Sequence, residues 1–363
     1  MKGNRFLACL LIIGMVFSCS IGCQPEKPQV ELNRVFKNII VAIGDGMGEN
    51  HILNAIDYFG LQTPAFLSDQ KGYVITDSLD GLTDSAAGGT ALATGTKVYN
   101  ENIAQLDGVD LKQITTYAQE ANMKTGIITT DSLGGATPAA FSAHSSTRGD
   151  ASTIITSQVE SGINLLIGGE DNAYYTRASW FTAKGYAFAR SREQLSDKKN
   201  NKKLMGCIRN IGSQYISGNE SDYQLKSMTE FAIDYLDNDY GFFLMIEGAY
   251  IDKYSHSNEY HNAMSEMRSL IDTIEYLYRY ASNGETAIFI TADHETGGLQ
   301  RETDKTKMSD ALYTTGEHTA VNVPLFVKNY QFDITNFGYS VDDVPQNTIV
   351  FEACKDIICN EKN

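Results

Sequence analysis

The 363-residue chain is short of cysteine, proline, tryptophan and positive charge. Its 6 cysteines are too few for a disulfide-stapled scaffold. With only 6 prolines it is neither a proline-rich tether nor a collagen-like repeat. One tryptophan and 20 scattered tyrosines form no ordered platform for stacking bases or sugars. Lys and Arg total 29 against 45 acids, a formal charge of −16. The first 22 residues hold Lys2, Arg5 and no acid, so without them the count is 27 against 45, or −18. Such a surface repels nucleic acid and anionic membranes at long range. It also repels a phosphate dianion, so a phosphate site here needs strong local positive charge. The apolar run from Phe6 to Phe17 is too short for an ordinary membrane span.

That run, with Lys2 and Arg5 ahead of it and SCSIGC behind it, reads as a secretory signal over residues 1–22. Ile21-Gly22-Cys23 resembles a bacterial lipoprotein cleavage site, with Cys23 lipidated and Cys19 the second choice. Ser20 stands where leucine is usual. The expectation is an exported chain, lipid-anchored to a bacterial membrane and facing the periplasm or cell surface. Residues 23–33 read as a polar tether and 34–363 as one domain. The spacing of Cys354 and Cys359 leaves their pairing open.

Continuous apolar runs recur at 38–43, 125–130, 163–169, 242–248, 286–294 and 323–328. Unbroken rather than alternating apolarity marks strands covered on both faces. Helix-like stretches at 86–97, 110–121, 224–237, 258–281 and 343–359 lie between them. The alternation predicts an α/β fold with a mostly parallel sheet between helical layers. The polar segment 191–203 reads as a solvated loop.

In such sheets ligands bind at the carboxyl ends of strands. Asp45, Glu247, Asp293 and His294 all fall there, each following an apolar run. A buried carboxylate without a partner is costly, so each needs a cation, a metal or water. Asp252 and His256 stand four apart and share a face if that segment is helical. His318 lies just before the last apolar run. These are nitrogen and oxygen ligands without thiolates, which suits zinc, with a harder carboxylate and hydroxyl set suited to magnesium. The stretch LTDSAAGGTA places Ser85 behind Asp84 at a helix start. Asp and Ser are good helix caps, and a helix N-terminus is also a place to hold phosphate against a serine oxygen. Either role fits the stretch alone.

Six motifs occur in order between about Asn38 and Val327: GDGMG, TDSAAGGTALATGTKVYN, ATPAAFSAHSSTR, IEGAYIDKYSH, TADHETGG and GEHTAVNVPLF. Together they resemble the alkaline phosphatase family. The resemblance implies that family's three-layer fold and hydrolysis of phosphate monoesters through a phosphoserine on Ser85, releasing inorganic phosphate. It implies two zinc ions, one on Asp45, Asp293 and His294, the other on Asp252, His256 and His318. It implies one magnesium ion on Asp45, Thr137 and Glu247, with Arg148 clamping the phosphate and Lys253 touching it. A homodimer is implied in the same way. Arg offers a planar fork matched to phosphate oxygens, and metal coordination can activate a hydroxyl that is otherwise a weak nucleophile. No Ser–His pairing is evident from the sequence. Gly135 stands where relatives carry an acid or histidine, which leaves Lys253 without an acidic partner and freer to reach phosphate. A phosphodiesterase or other hydrolase of the same superfamily, and a non-catalytic phosphate-binding lipoprotein, are the alternatives.

Overall fold

The computed structural model describes residues 35–68, 70–209 and 224–359. The expected signal segment 1–22, the candidate lipid cysteines Cys19 and Cys23, the tether 23–33 and residue 34 lie outside them. Nine strands build one sheet: β1 (Asn38–Gly44), β2 (Gln70–Val74), β3 (Lys124–Thr129), β4 (Leu165–Gly169), β5 (Ala187–Ala189), β6 (Leu204–Ile208), β7 (Phe242–Gly248), β8 (Thr286–Thr291) and β9 (Val323–Lys328). Their order is β2-β9-β8-β1-β7-β3-β4-β6-β5. Pairing is parallel from β8 through to β5, and β9 runs antiparallel to both β8 and β2.

β1 and β7 are buried at every residue, and β8 likewise. Their Ile, Val and Phe residues favour the pleat and fill the space between helical layers. The helices Leu225–Leu236 and Tyr260–Tyr280 pack on β7 and on each other. The helices Ile114–Glu120 and Ala136–Ala140 pack on β3 and β7, with Ser85–Thr94 and Ile349–Cys359 stacked beyond them. The α/β expectation holds, with helices over the central strands.

One local reading changes, and one question left open is answered. Segment 191–203 is not simply a loop: Arg192–Asp197 is a helix capped by the Ser191 hydroxyl, which accepts the Gln194 N–H. Cys354 is buried and Cys359 exposed on the helix Ile349–Cys359, and both thiols are free. No helix among the described residues is long and apolar enough to cross a membrane.

Candidate metal centre

Strand register brings the acids together. Ile43 pairs with Glu247 on one side and Thr291 on the other, so Asp45, Glu247 and Asp293 emerge at one edge of the sheet. Thr129 pairs with Glu247 from the next strand. After β1 the chain turns through Gly46, at φ 71°. A side chain there would meet the Thr296 hydroxyl and the Asp252 backbone, each within 3 Å. The Gly46 N–H instead donates to Asp293 Oδ1 at 3.2 Å, and the His294 N–H donates to the same oxygen at 3.0 Å. That leaves Asp293 Oδ2 buried with no hydrogen-bond partner.

Ser85 is the first residue of its helix, and Asp84 caps it by accepting the Ala87 N–H at 2.9 Å. Asp84 thus takes the capping role, and the serine hydroxyl is left for other work. The second Asp84 oxygen accepts the Glu101 N–H at 3.0 Å and pairs with Arg148 Nη1 at 3.3 Å. Asp84 therefore fixes both the serine helix and the arginine beside it. The tiny residues after Ser85 serve close approach: a Cβ on Gly88 would lie 2.8 Å from the Asp293 carbonyl oxygen.

Ser85 Oγ lies 3.2 Å from His294 Nε2, a Ser–His contact that the sequence did not reveal. His294 makes a poor general base. Burial pushes its imidazole down to about 3. Its Nδ1 faces the Thr296 hydroxyl at 3.2 Å rather than a carboxylate, so nothing stabilises an imidazolium through that nitrogen. Because Thr296 donates its own proton to Asp252 Oδ1 at 2.6 Å, the His294 Nδ1–H is the donor to Thr296. The Nε2 lone pair is then directed at Asp45 Oδ1, 3.5 Å away, and Asp293 Oδ2, 3.3 Å away.

The other two histidines are fixed in the same way. His256 Nδ1 donates to the Gly316 carbonyl at 2.6 Å and His318 Nδ1 to the Thr83 carbonyl at 2.8 Å. Each partner is an acceptor only, which assigns the proton to Nδ1 and the lone pair to Nε2. These two Nε2 atoms lie 3.1 Å apart, and they stand 3.3 and 3.6 Å from Asp252 Oδ1. A short ladder pairing Thr296 with His318 brings the last histidine in.

The donor chemistry fits cations. Ligand atoms of Asp45, Asp293 and His294 lie within 4.8 Å of one another, as do those of Asp252, His294 and His318. Asp45 Oδ1, Asp293 Oδ2 and Thr137 Oγ1 are buried without hydrogen-bond partners. Burial, reinforced by Asp293, Asp252 and Glu247, holds the Asp45 carboxyl well above the usual carboxylate range. Burial also pushes Asp293 up to about 6 and Glu247 up to about 8. Carboxylates that resist ionising together, facing imidazole lone pairs that repel, are stabilised by divalent cations between them. Carbonyl and hydroxyl partners on the far ring nitrogens orient the imidazoles as metal ligands require.

Glu247 accepts a hydrogen bond from the Thr129 hydroxyl, and the Thr137 hydroxyl lies near it without closing a hydrogen bond. This makes a harder oxygen set with Asp45. Lys253 is not without an acidic partner: its ammonium lies 2.5 Å from Asp131 Oδ1. The expectation of a freer lysine is corrected, because the acid comes from position 131 rather than 135. The sequence reading placed Asp84 only as a helix cap and not as the partner of Arg148, and it missed Thr129, Asp131 and Thr296. Only Thr296, two residues beyond His294 in the TADHETGG motif, carried a local signal.

The alkaline phosphatase family profile matches residues 36–178 and 170–336. Alkaline phosphatase 4 of Bacillus subtilis (strain 168) is 32% identical over 288 residues, covering 72% of this chain and 62% of that protein. Alkaline phosphatase 3 of the same organism is 32% identical over 324 residues, covering 81% and 70%. The alkaline phosphatase of the Antarctic bacterium TAB5 superposes with a TM-score of 0.78 at 28% identity, covering 91% of this chain and 99% of that one. This chain spans less than two thirds of the first of these relatives. Profile, identity and shared fold agree with the ordered motifs: the chain belongs to the alkaline phosphatase family.

Proposed function

We propose that the protein hydrolyses phosphate monoesters through a covalent phosphoserine on Ser85. The observation that carries this reading is the convergence of three Nε2 lone pairs and two orphaned carboxylate oxygens beside the Ser85 hydroxyl. Asp45, Asp293 and His294 would hold one zinc ion, Asp252, His256 and His318 a second, and Asp45, Thr137 and Glu247 a magnesium ion. When bound, these cations lower the pKa of a coordinated hydroxyl or water and neutralise charge on the transferring group and leaving oxygen.

The chain's own residues do the rest. Ser85 Oγ gives up its proton and attacks phosphorus, the bond to the ester oxygen breaks, and the leaving oxygen takes up a proton and departs as the alcohol. Water then attacks the phosphoserine phosphorus, the Oγ–P bond breaks, Ser85 regains its proton, and inorganic phosphate departs. Arg148 is held in place by Asp84 and feels the charge of Asp45. Its fork can take two phosphoryl oxygens that become more negative during transfer. The helix N-terminus at Ser85 adds N–H groups facing the same anion. Together with the cations, these groups make a positive well inside an acidic protein. Lys253 is the further contact to phosphate. In this reading the protein is exported and lipid-anchored through Cys23, supported by Lys2, Arg5 and the apolar run behind them.

The test is a paired turnover assay on p-nitrophenyl phosphate and bis-p-nitrophenyl phosphate, at alkaline pH with zinc and magnesium. Ser85→Ala and a chelated sample run beside the wild type. Monoester turnover that is lost in both controls and weak on the diester is expected. A diester preference would assign the protein to the phosphodiesterase branch. No turnover with metals verified as bound would leave a phosphate-binding protein.

A further inference from the structure

We propose that Asp131 is the positioning residue for Lys253, supplying from the end of β3 the acid that position 135 lacks. The proposal rests on the phosphatase reading above. In it, Asp131 sets how far the lysine ammonium reaches toward the bound phosphate and keeps that ammonium off the oxygen set around Glu247.

Geometry makes Asp131 a rigid partner. Its N–H donates to the Thr129 hydroxyl at 2.9 Å, and its carbonyl accepts the Gly169 N–H at 2.5 Å. The Thr129 hydroxyl itself donates to Glu247. One bonded path therefore runs from Glu247 through Thr129 to Asp131 and on to Lys253. The lysine is held from two sides, with its Nζ 2.5 Å from Asp131 Oδ1 and 4.6 Å from the centroid of the Tyr250 ring.

Position 135 supplies an independent observation. Gly135 has φ −57° and ψ 156°, a conformation open to any residue, so backbone shape does not require glycine. Space does. A Cβ on Gly135 would lie 3.0 Å from Asp131 Oδ2 and 3.0 Å from the Ser132 carbonyl oxygen. Those distances are tighter than nine in ten real Cβ contacts, so the Asp131 carboxylate would have to give way. Glycine at 135 and aspartate at 131 are therefore a matched pair, in which one carboxylate occupies the room that a side chain at 135 would need. Without the Asp131 charge, Glu247 is the next acid toward which the lysine is drawn. There it competes with the third cation.

The experiment uses the full-length chain in detergent, loaded with zinc and magnesium. Asp131→Asn, Lys253→Ala, their double variant, and the exchange Asp131→Gly/Gly135→Asp are compared. The readouts are the dissociation constant for inorganic phosphate by calorimetry, magnesium retained after dialysis, and KM against kcat for p-nitrophenyl phosphate. Asp131→Asn is expected to tighten phosphate binding about fivefold, the scale of one partly exposed ion pair, and to retain less magnesium. Both effects should vanish in the Lys253→Ala background, and the exchange variant should restore wild-type values. Equal effects of Asp131→Asn with and without Lys253 would overturn the proposal, as would an exchange variant that folds but restores neither readout. Phosphate binding and magnesium retention need no turnover. A wild type that binds phosphate without hydrolysing esters would defeat the phosphatase reading and leave the Asp131–Lys253 coupling to be judged by itself.

Discussion

Gly88→Ala isolates the demand that the site places on the serine helix. In an ordinary helix interior, alanine is favoured over glycine by about 0.5–1 kcal/mol. Here the added Cβ lands 2.8 Å from the Asp293 carbonyl oxygen and 3.1 Å from the Asp293 Cβ. The obstacle is backbone at a strand end and cannot swing aside. Reaching an ordinary contact near 3.5 Å requires the helix to retreat by roughly 0.7 Å. Overpacking of this kind costs about 1–3 kcal/mol, so set against the helix gain the net loss of stability is about 0–2.5 kcal/mol. The functional loss is larger. Ser85 heads this helix while His294 follows Asp293, so the retreat opens the Ser85–His294 contact of 3.2 Å. A displacement near 1 Å can lower turnover about 100-fold. Urea unfolding and p-nitrophenyl phosphate kinetics on the same preparation check this. The expected result is a 10- to 100-fold lower kcat with a modest shift in midpoint. A variant with wild-type kcat and about 1 kcal/mol more stability would refute the claim that close approach, rather than chance, put glycine there.

Chelation with EDTA is expected to lower Tm as well as abolish turnover, because the ligand carboxylates then face one another without cations. A ligand at 1,000 times its Kd contributes about 4 kcal/mol, and differential scanning fluorimetry before and after zinc is restored reads the loss. An unchanged Tm after verified removal of metal would count against the cation reading. His51 predicts acid sensitivity. It is fully buried, accepts the Gly48 N–H at Nδ1 and faces Ser255 Oγ at 3.0 Å, and burial pushes it down to about 3. In the unfolded chain the same imidazole takes a proton near pH 6.5, so below that pH the unfolded state binds more protons. Stability is full above pH 6.5 and falls as pH drops toward 3, by about 2 kcal/mol at pH 5. His51→Gln should flatten that slope in urea midpoints measured at pH 7 and pH 5, and parallel slopes would show that His51 is not the titrating group.

The residues that make the site legible are those placed by strand ends. Asp45, Glu247 and Asp293 each follow an apolar run, and a parallel sheet gathers such ends at one edge without further information. Asp131 was not legible, because its link to Lys253 depends on how the chain bends between β3 and the helix Ala136–Ala140. The family resemblance pointed to position 135, and only packing shows that the carboxylate of residue 131 lies in that room. The Ser85–His294 contact was missed for a related reason, since it joins residues 209 positions apart. Among the strands, β2, β5 and β6 escaped notice: QKGYV is too polar to form an apolar run, AFA is too short to show a pattern, and LMGCI breaks its apolar run with glycine. Strand direction was also out of reach, because an apolar run such as Val323–Lys328 reads the same whether it lies parallel or antiparallel.

That direction has a consequence for the order of assembly. Among the described residues β9 is the last sheet strand, and it inserts between β8 and β2, pairing antiparallel with both. Running against its neighbours, it begins at the edge where they end, and the segment leading into it delivers His318 to Asp252 and His256. Until that strand has docked, the second trio lacks a member, however well the earlier strands are formed. On the proposed metal reading the centre is a lock closed by that strand, and a chain interrupted before it would carry most of the candidate ligands without the complete set.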